Sequence, residues 1–352
     1  MNTIQSRSPY IVTHTNTNLT SITVELFLYT GSKATSRPAN ATFTLQVEAL
    51  NEVCTFDIAE FADDFMELTF DGTYGNDTTQ MVFCDYRITE YINEVAQTPL
   101  SIVLKDMYGG YSRFEYGAQN DGAPERANNN FLLSAKYIYV PSDEIPNIPI
   151  GLFYTRDVNY YQIVDDVLTE TATETISASI TSANRFRYCT VPDTDVVKIQ
   201  IDGDASKFVW IKHIPCTKYP SYKVTFINAF GVKQDMWFTG KSSESTKTNT
   251  IDKYKRNTLI GDSYDTASHR NTFLHKNGVK SIDLSTAFMD ESQNIYFEEL
   301  LLSRQVWITY DSQVLPINIT TSDMKYRTSI NDKTVSYKIS ADFAYDTINN
   351  IR

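Results

Sequence analysis

Five carboxylates crowd one short stretch of the chain: Asp57, Glu60, Asp63, Asp64 and Glu67. Acids at that density are the raw material of a divalent-metal site or of a paired-carboxylate glycosidase centre. The apolar residues among them set the frame. Ile58, Phe61, Ala62, Phe65 and Leu68 recur at helical spacing, and Asp57 with Glu60 forms a capping pair at the start. The acids then occupy the first turns and the outward face of one amphipathic helix. Negative charge is favourable there, beside the positive end of the helix dipole. We read the group as a helix start with a solvated face rather than as a reaction centre.

The remaining chemistry-bearing residues are dispersed. His14, His213, His269 and His275 form no His-Glu-x-x-His and no i,i+4 pair, so no zinc site is indicated. Cys54, Cys84, Cys189 and Cys216 are widely spaced without a Cys-x-x-Cys, the pattern of buried free thiols in a reducing cytoplasm. There is no P-loop and no Gly-x-Ser-x-Gly elbow. Asp202-Gly203-Asp204 lacks the other acids of a calcium loop and reads as a turn. Gly109-Gly110 precedes no helix, so it cradles no phosphate. It supplies the positive φ of a tight hairpin turn between Ile102–Met107 and Arg113–Tyr116. The expectation is a chain with no catalytic residue, no metal and no cofactor.

Composition supports a scaffold. The 352 residues exceed one ordinary core and predict two or three domains. Aromatics reach 13%, with 23 Tyr and 19 Phe, which suits sheets and interfaces and excludes wholesale disorder. A net charge of −12 excludes nucleic-acid binding through a uniformly basic surface, though not through a local patch. Met1–Ser8 is polar, so no signal peptide is expected, and the glycosylation-type triplets at Asn18, Asn40, Asn76 and Asn318 carry no weight without one. No run approaches eighteen apolar residues, so no membrane span is expected.

Period-two alternation dominates. Ile22, Val24, Leu26 and Leu28 make one strand, and Phe43, Leu45 and Val47 another. Ile88, Tyr91, Ile92 and Val95 suggest a second short helix from Ile88 to Ala96. Pro141, Pro146 and Pro149 read as a connector that resists regular pairing. Val196–Ile201 and Phe208–Ile211 form a hairpin, Thr169–Thr181 an edge strand or exposed arm, and Lys241–Thr250 a polar loop. That loop runs into the basic cluster Lys253, Lys255 and Arg256, and Asn277-Gly278 marks a hairpin turn. Phe297, Leu300 and Leu301 lie on a short helix. Val306–Tyr310, Val314–Ile319 and Lys325–Ile330 are strands, and Val335, Tyr337, Ile339, Ala341, Phe343 and Tyr345 alternate along a last one from Thr334. Val224–Phe238 also lays over Ile102–Tyr116 as a weak internal repeat, with Gly231 on Gly109. The fold class expected is mainly β: two or three antiparallel β-sandwich-like domains with a few short helices. The divisions are 1–140 (fibronectin-like in scale), a Pro-rich connector and middle β region at 141–215, and a C-terminal antiparallel domain at 216–352.

The segment Tyr222–Gly240 resembles one found in virion proteins of phages that infect Bacteroidetes. The chain end is similar to tail-associated structural proteins of crAss-like podoviruses. Its matching pieces are Glu298–Ser303 before Val306-Trp307, Pro316–Ile319, Tyr326-Arg327-Thr328, Asn331-Asp332-Lys333, Tyr345 and Ile348–Arg352. The likeness covers the last third well and the rest in style only. It implies a non-enzymatic virion component, made in the host cytoplasm and built into a tail or neck ring below the portal. The implied partners are further copies of the chain, often in a twelve-fold ring, and neighbouring ring, portal or tail-barrel proteins. Genomic DNA would pass through the central channel during ejection, with non-specific contact. Closed rings need heterologous interfaces, which long hairpins provide. Thr169, Thr171, Thr173, Thr175 and Ile176 on the arm, and Lys241, Lys247, Lys253, Lys255 and Arg256 on the loop, are the expected inter-subunit contacts. The alternatives are a tail-fibre or head-decoration protein that recognises host glycans through exposed Tyr and Trp, and a virion-borne glycan hydrolase.

Overall fold

The computed structural model describes residues 3–30, 35–66, 68–74, 81–111, 129–152, 154–178, 186–215, 218–256, 259–260, 263–264, 266–267, 269–323 and 334–348. The protein is mainly β, with several antiparallel sheets and two α-helices among the described residues. The chain forms two compact units. One comprises residues 1–216, 225–236 and 292–304, and the other residues 217–224, 237–291 and 305–352.

In the first unit the alternating strands Leu19–Tyr29 and Met81–Ile92 form the centre of a sheet. The strands Phe43–Glu48 and Val103–Tyr108 flank them, and Thr3–Gln5 adds in parallel at one edge. Period two divides the sheet's side chains between two cores. Ile22, Val24, Leu26, Val82, Cys84 and Ile88 pack with Phe56, Ile58, Ala59 and Ala62, which lie on or beside the paired strands Ile11–Thr15 and Val53–Asp57 and the helix Ala59–Phe65. On the other face Tyr29, Met81, Phe83 and Tyr108 meet Leu132, Phe186, Phe230 and Val232. That second cluster corrects the expected boundary at residue 141. Pro141 and Pro149 sit within paired strands, Tyr137–Pro141 and Asn147–Gly151. Neither ring blocks pairing, and the carbonyl of Pro149 accepts from the Leu132 N–H at 2.9 Å.

The first unit also holds a five-stranded sheet in the order Tyr137–Pro141, Phe208–Ile214, Val196–Ile201, Arg156–Val164, Val167–Ile176. It takes back two later pieces of chain. The helix Asn294–Leu302 buries Tyr296, Phe297 and Leu300, and its buried Glu299 accepts a hydrogen bond from Ser134 Oγ. Residues 225–236 bring the turn at Asn228–Gly231. There Asn228, fully buried, donates through Nδ2 to Leu132 O (2.8 Å) and Gln234 Oε1 (3.0 Å), and accepts at Oδ1 from the Phe230 and Val232 N–H groups.

Three further expectations change. Ile88–Ala96 is not a helix but the end of a strand, a two-residue turn at Asn93-Glu94 with φ of 49° and 68°, and a short return strand. Period-two burial of Val82, Cys84, Tyr86 and Ile88 overrides the coincidental helical spacing. Gly109 and Gly110 have no positive φ. A Cβ on Gly110 would instead overlap Ala229 O, Gln5 Oε1 and the Phe230 carbonyl carbon, so glycine is required by backbone approach rather than by a turn. Its proposed return strand, Arg113–Tyr116, lies outside the described residues, as does Lys325–Ile330. The two glycines of the weak repeat meet face to face, because a Cβ on Gly231 (φ 77°) would overlap the backbone of Gly109 and Gly110. Asn277-Gly278 is mid-strand, paired with Asn249 and Thr248, and the Asn277 amide receives the chain end at Ile348.

In the second unit Val306–Tyr310, Gln313–Ile319, Lys338–Asp346, Asn271–Ser285 and Ser243–Lys255 follow one another across an antiparallel sheet, with residues 222–224 and 237–238 continuing it beyond the first. Asp311-Ser312 (φ 48° and 63°) makes the two-residue turn of the first hairpin. The closing run breaks after Val335, which pairs with Met289. Its alternation persists through buried Ile339 and Ala341 and ends with Tyr345 exposed.

Gly203 and Gly231 share φ of 77°, but nothing lies within 4 Å of a Cβ built on Gly203. Gly203→Ala is therefore expected to cost only the left-handed penalty, roughly 1–2 kcal/mol. Gly231→Ala adds backbone overlap and is expected to exceed about 3 kcal/mol. Urea-unfolding midpoints of the two variants check this, and equal losses would overturn the close-approach reading.

Candidate interaction surfaces

The acidic group does not converge. Asp57 accepts at Oδ1 from the Ala59 N–H (2.9 Å) and the Tyr10 N–H (3.0 Å), so it caps the helix and ties it to the first strands. Asp63 is held by Ser6 Oγ (3.2 Å) and by the guanidinium of Arg304. Glu60 is exposed and forms no reciprocal cap, and Glu67 lies outside the described residues. No cluster of three or more His, Cys, Asp or Glu is placed to hold a metal ion among the described residues. Asp204 accepts from the Ser206 N–H (3.0 Å) and Oγ (2.6 Å), which holds its carboxyl below the usual range and closes the 202–207 turn. Cys54, Cys84 and Cys189 are buried free thiols, and Cys216 lies outside the described residues.

One titratable pair joins two sheets. His14 Nε2 lies 2.5 Å from Glu90 Oε1, and Asn16 Nδ2 donates to both Glu90 oxygens at 3.1 Å. The hydrogen bond from His14, more than the one from Asn16, holds the Glu90 carboxyl below its ordinary 4.5.

The threonine arm is the edge strand Val167–Ile176, paired on one side with Arg156–Val164. Thr169, Thr171, Thr173 and Thr175 are all exposed along it, and the last two donate to Asn159 Oδ1 (3.2 Å) and Asp157 Oδ1 (2.5 Å), whereas a register shift at Tyr160-Tyr161 turns Thr169, opposite Gln162, to the other face. Ile176 corrects the expectation: it is 7% exposed and packs inside its own chain, so it offers no contact to a neighbour. The end of the expected arm, residues 179–181, lies outside the described residues. At the other end the hairpin turns through Asp165-Asp166 (φ 51° and 61°). Ile163, Val164, Val167 and Leu168 around that turn are 60%, 45%, 62% and 40% exposed. The neighbouring strand Val196–Ile201 pairs only as far as Gln162, so the tip projects past it.

The predicted polar loop at Lys241–Thr250 is also corrected. From Ser243 it is a strand that continues to Lys255 and pairs with Asn271–Ser285 along its length. Thr and Ser tolerate strand geometry well, and the ladder sets the two strands' residues in cross-strand pairs. Ser281 Oγ donates to Asp342 Oδ1 at 2.6 Å, and Lys247 Nζ pairs with the same oxygen at 2.9 Å; the first bond, with support from the second, holds the Asp342 carboxyl below its ordinary value. Tyr310 OH donates to Glu244 Oε1 (2.9 Å), a bond that pushes its pKa up to about 12. Lys338–Asp346 flanks the long strand only from Val279 to Ser285. Between residues 250–255 and 271–276 the two strands pair, among the described residues, with each other alone, a ribbon on the order of 20 Å long at about 3.3 Å per residue. Lys253 and Lys255 share one face of it, Lys253 Nζ lies 5.4 Å from the Phe273 ring, and the Arg256 N–H bonds Arg270 O. Lys241 precedes the ribbon, exposed, beside a hollow of ≈ 380 Å³ shared with Asp283, Lys338 and Ser340.

A further surface went unrecognised in the sequence. One face of the five-stranded sheet is buried through Ile138, Val140, Val158, Ile199, Val209 and Ile211. Its opposite face is half-exposed, and there rings and ammonium groups interleave. Lys198 Nζ lies 5.1, 5.3 and 5.7 Å from the rings of Tyr161, Phe208 and Trp210 and donates to Gln200 Oε1 at 2.7 Å. Lys212 Nζ lies 4.3 Å from the Tyr137 ring, and Lys136 Nζ lies 4.5 Å from that of Phe208. The strand periods were visible. What was missing was the strand order, which sets Tyr137 and Lys198 on either side of Trp210.

The chain matches no protein-family model and no curated protein by sequence.

Because the folded Glu90 carboxyl titrates below its unfolded value, its contribution is present above about pH 4.5 and is lost as pH falls through the lower folded value. Glu90→Gln is expected to be less stable than the parent at pH 7 and to flatten the acid limb. Thermal midpoints between pH 7 and pH 3 check this, and parallel limbs for the two chains would remove the pair from the account.

Proposed function

We propose that this chain is a non-enzymatic structural component of a phage virion, a subunit of a tail or neck ring assembled below the portal. It acts through inter-subunit β and aromatic contacts. The observation that carries the reading is the ribbon formed by Ser243–Lys255 and Asn271–Ser285. Ser243–Lys255 is the last strand of its sheet, so its outer backbone edge meets no strand among the described residues. An open edge of thirteen residues is a template for another strand, and soluble proteins blunt such edges when they have no use for them. Here Lys247, Lys253 and Lys255 lie along it. They discourage indiscriminate pairing and favour a neighbour that brings acidic side chains. The edge strand Val167–Ile176, lined with threonines, is a second open edge of the same kind. The likeness of the C-terminal third to tail-associated proteins of crAss-like podoviruses supports the setting. Contact with passing DNA and with portal or tail-barrel proteins belongs to the same proposal.

Electron microscopy of the purified virion, with this subunit located by fitting, tests the reading. The expected result is a closed ring in the tail or collar, with residues 243–255 covered by a neighbouring subunit. A peripheral trimer or fibre would overturn it and move the assignment to host-glycan recognition. In solution, Lys253→Glu with Lys255→Glu is expected to weaken self-association at least tenfold by sedimentation velocity, and an unchanged profile would remove the ribbon from the interface.

A further inference from the structure

The ring-and-lysine face of the five-stranded sheet has no stated occupant, and its chemistry narrows the choice. Lys136, Lys198 and Lys212 reach no carboxylate among the described residues, although the chain carries a net −12. Their ammonium groups stand over the rings at 4.3–5.7 Å. A stacked base or sugar ring would have to compete with these ammonium groups for the rings. What the surface offers outward is ammonium N–H and ring edges, the positive rim of the aromatic quadrupole. That combination suits carboxylates flanked by apolar side chains.

The same sheet carries a segment of that description. The tip Ile163–Leu168 sets four exposed apolar side chains around Asp165 and Asp166, projects past its neighbouring strand, and has no cation paired with either aspartate among the described residues. Exposed apolar groups at that density in six residues mark a contact surface. Aromatic and half-desolvated cationic side chains are the usual anchors of such a surface.

We propose that the tip Ile163–Leu168 of one copy docks on the face formed by Tyr137, Tyr161, Lys198, Phe208, Trp210 and Lys212 of a second copy. Asp165 and Asp166 meet Lys198 and Lys212, and the four apolar side chains cover the rings. The proposal rests on the ring reading and names one of its interfaces. Tip and face are different surfaces, so the contact is heterologous and leaves each copy with one used and one open surface. Repetition of such a contact closes a ring.

The experiment compares four proteins by analytical ultracentrifugation over a concentration series, with circular dichroism to confirm folding. They are the parent, a tip variant (Asp165→Lys with Asp166→Lys), a face variant (Lys198→Glu with Lys212→Glu), and a chain carrying all four changes. Each paired variant is expected to associate at least tenfold more weakly, and the fourfold chain is expected to recover. A mixture of tip and face variants offers a native pair and a charge-swapped pair, both between unlike copies only, so it is expected to associate where neither variant alone does. An unchanged face variant, or a mixture that stays monomeric, overturns the proposal and leaves the ring reading standing. A parent chain that stays monomeric at every concentration overturns both. Val167→Ser with Leu168→Ser weakens association without altering charge if the apolar cover is real, and no change there also overturns it. Quenching of Trp210 by an oligothymidylate in the parent but not in the face variant would assign the surface to single-stranded nucleic acid instead.

Discussion

A single buried amide closes the first unit. Asn228 spends both ends of its side chain on backbone and on Gln234, and so fixes the turn that carries Phe230 and Val232 into the core over Tyr29, Phe83 and Tyr108. A buried amide left half-bonded would cost the desolvation of its free groups. The turn is further held by glycine on both sides of a backbone contact, since neither Gly110 nor Gly231 has room for a Cβ. Nearby, Tyr74 and Thr225 both donate to Asp235, and burial together with that carboxylate pushes the Tyr74 phenol far up. The second face of the N-terminal sheet thus depends on polar groups that are satisfied in only one arrangement. That explains why residues 225–236 belong to this unit despite their distance in sequence.

Elsewhere the molecule leaves its sheets unfinished. The strands Val167–Ile176 and Ser243–Lys255 each end a sheet, the first dressed in threonine and glutamate and the second in threonine, serine and lysine. Their side chains bond inward, Thr173 to Asn159 and Lys247 to Asp342, so strand geometry is secured before any neighbour arrives. A preformed edge loses little further freedom on docking, which favours assembly over a disordered arm of the same composition. The ring-and-lysine face follows the same logic. Among the described residues its ammonium groups are held by rings and by Gln200 rather than by carboxylates, which leaves their charge for a partner.

Much of the fold was legible because a half-buried strand writes its own pattern. Leu19–Tyr29, the hairpin at 196–214 and the closing alternation to Ala341 follow from period two alone. The failures share a cause. Ile88–Ala96 mimics helical spacing because a two-residue turn shifts the phase of its apolar residues. Asn277-Gly278 carries a turn signal, yet its amide serves Ile348 from mid-strand. Lys241–Thr250 carries no alternating apolar pattern because its strand, at the end of the sheet, is exposed from Ser243 to Thr248. The lysine face was invisible for a different reason: its residues come from four strands, and only the order of those strands brings them together.

The return of residues 225–236 and 292–304 to the first unit also bears on synthesis. A ribosome delivers the N-terminal strands early, but Phe230, Val232 and the helix at Asn294–Leu302 emerge much later. Until then Tyr29, Phe83 and Tyr108 lack half of their cover, and Ser134 waits for Glu299. The nascent chain must keep a partly open apolar surface from its neighbours through most of translation, and long-range closure of this kind is slow. A messenger truncated after codon 216 would yield an open half-core rather than a smaller domain.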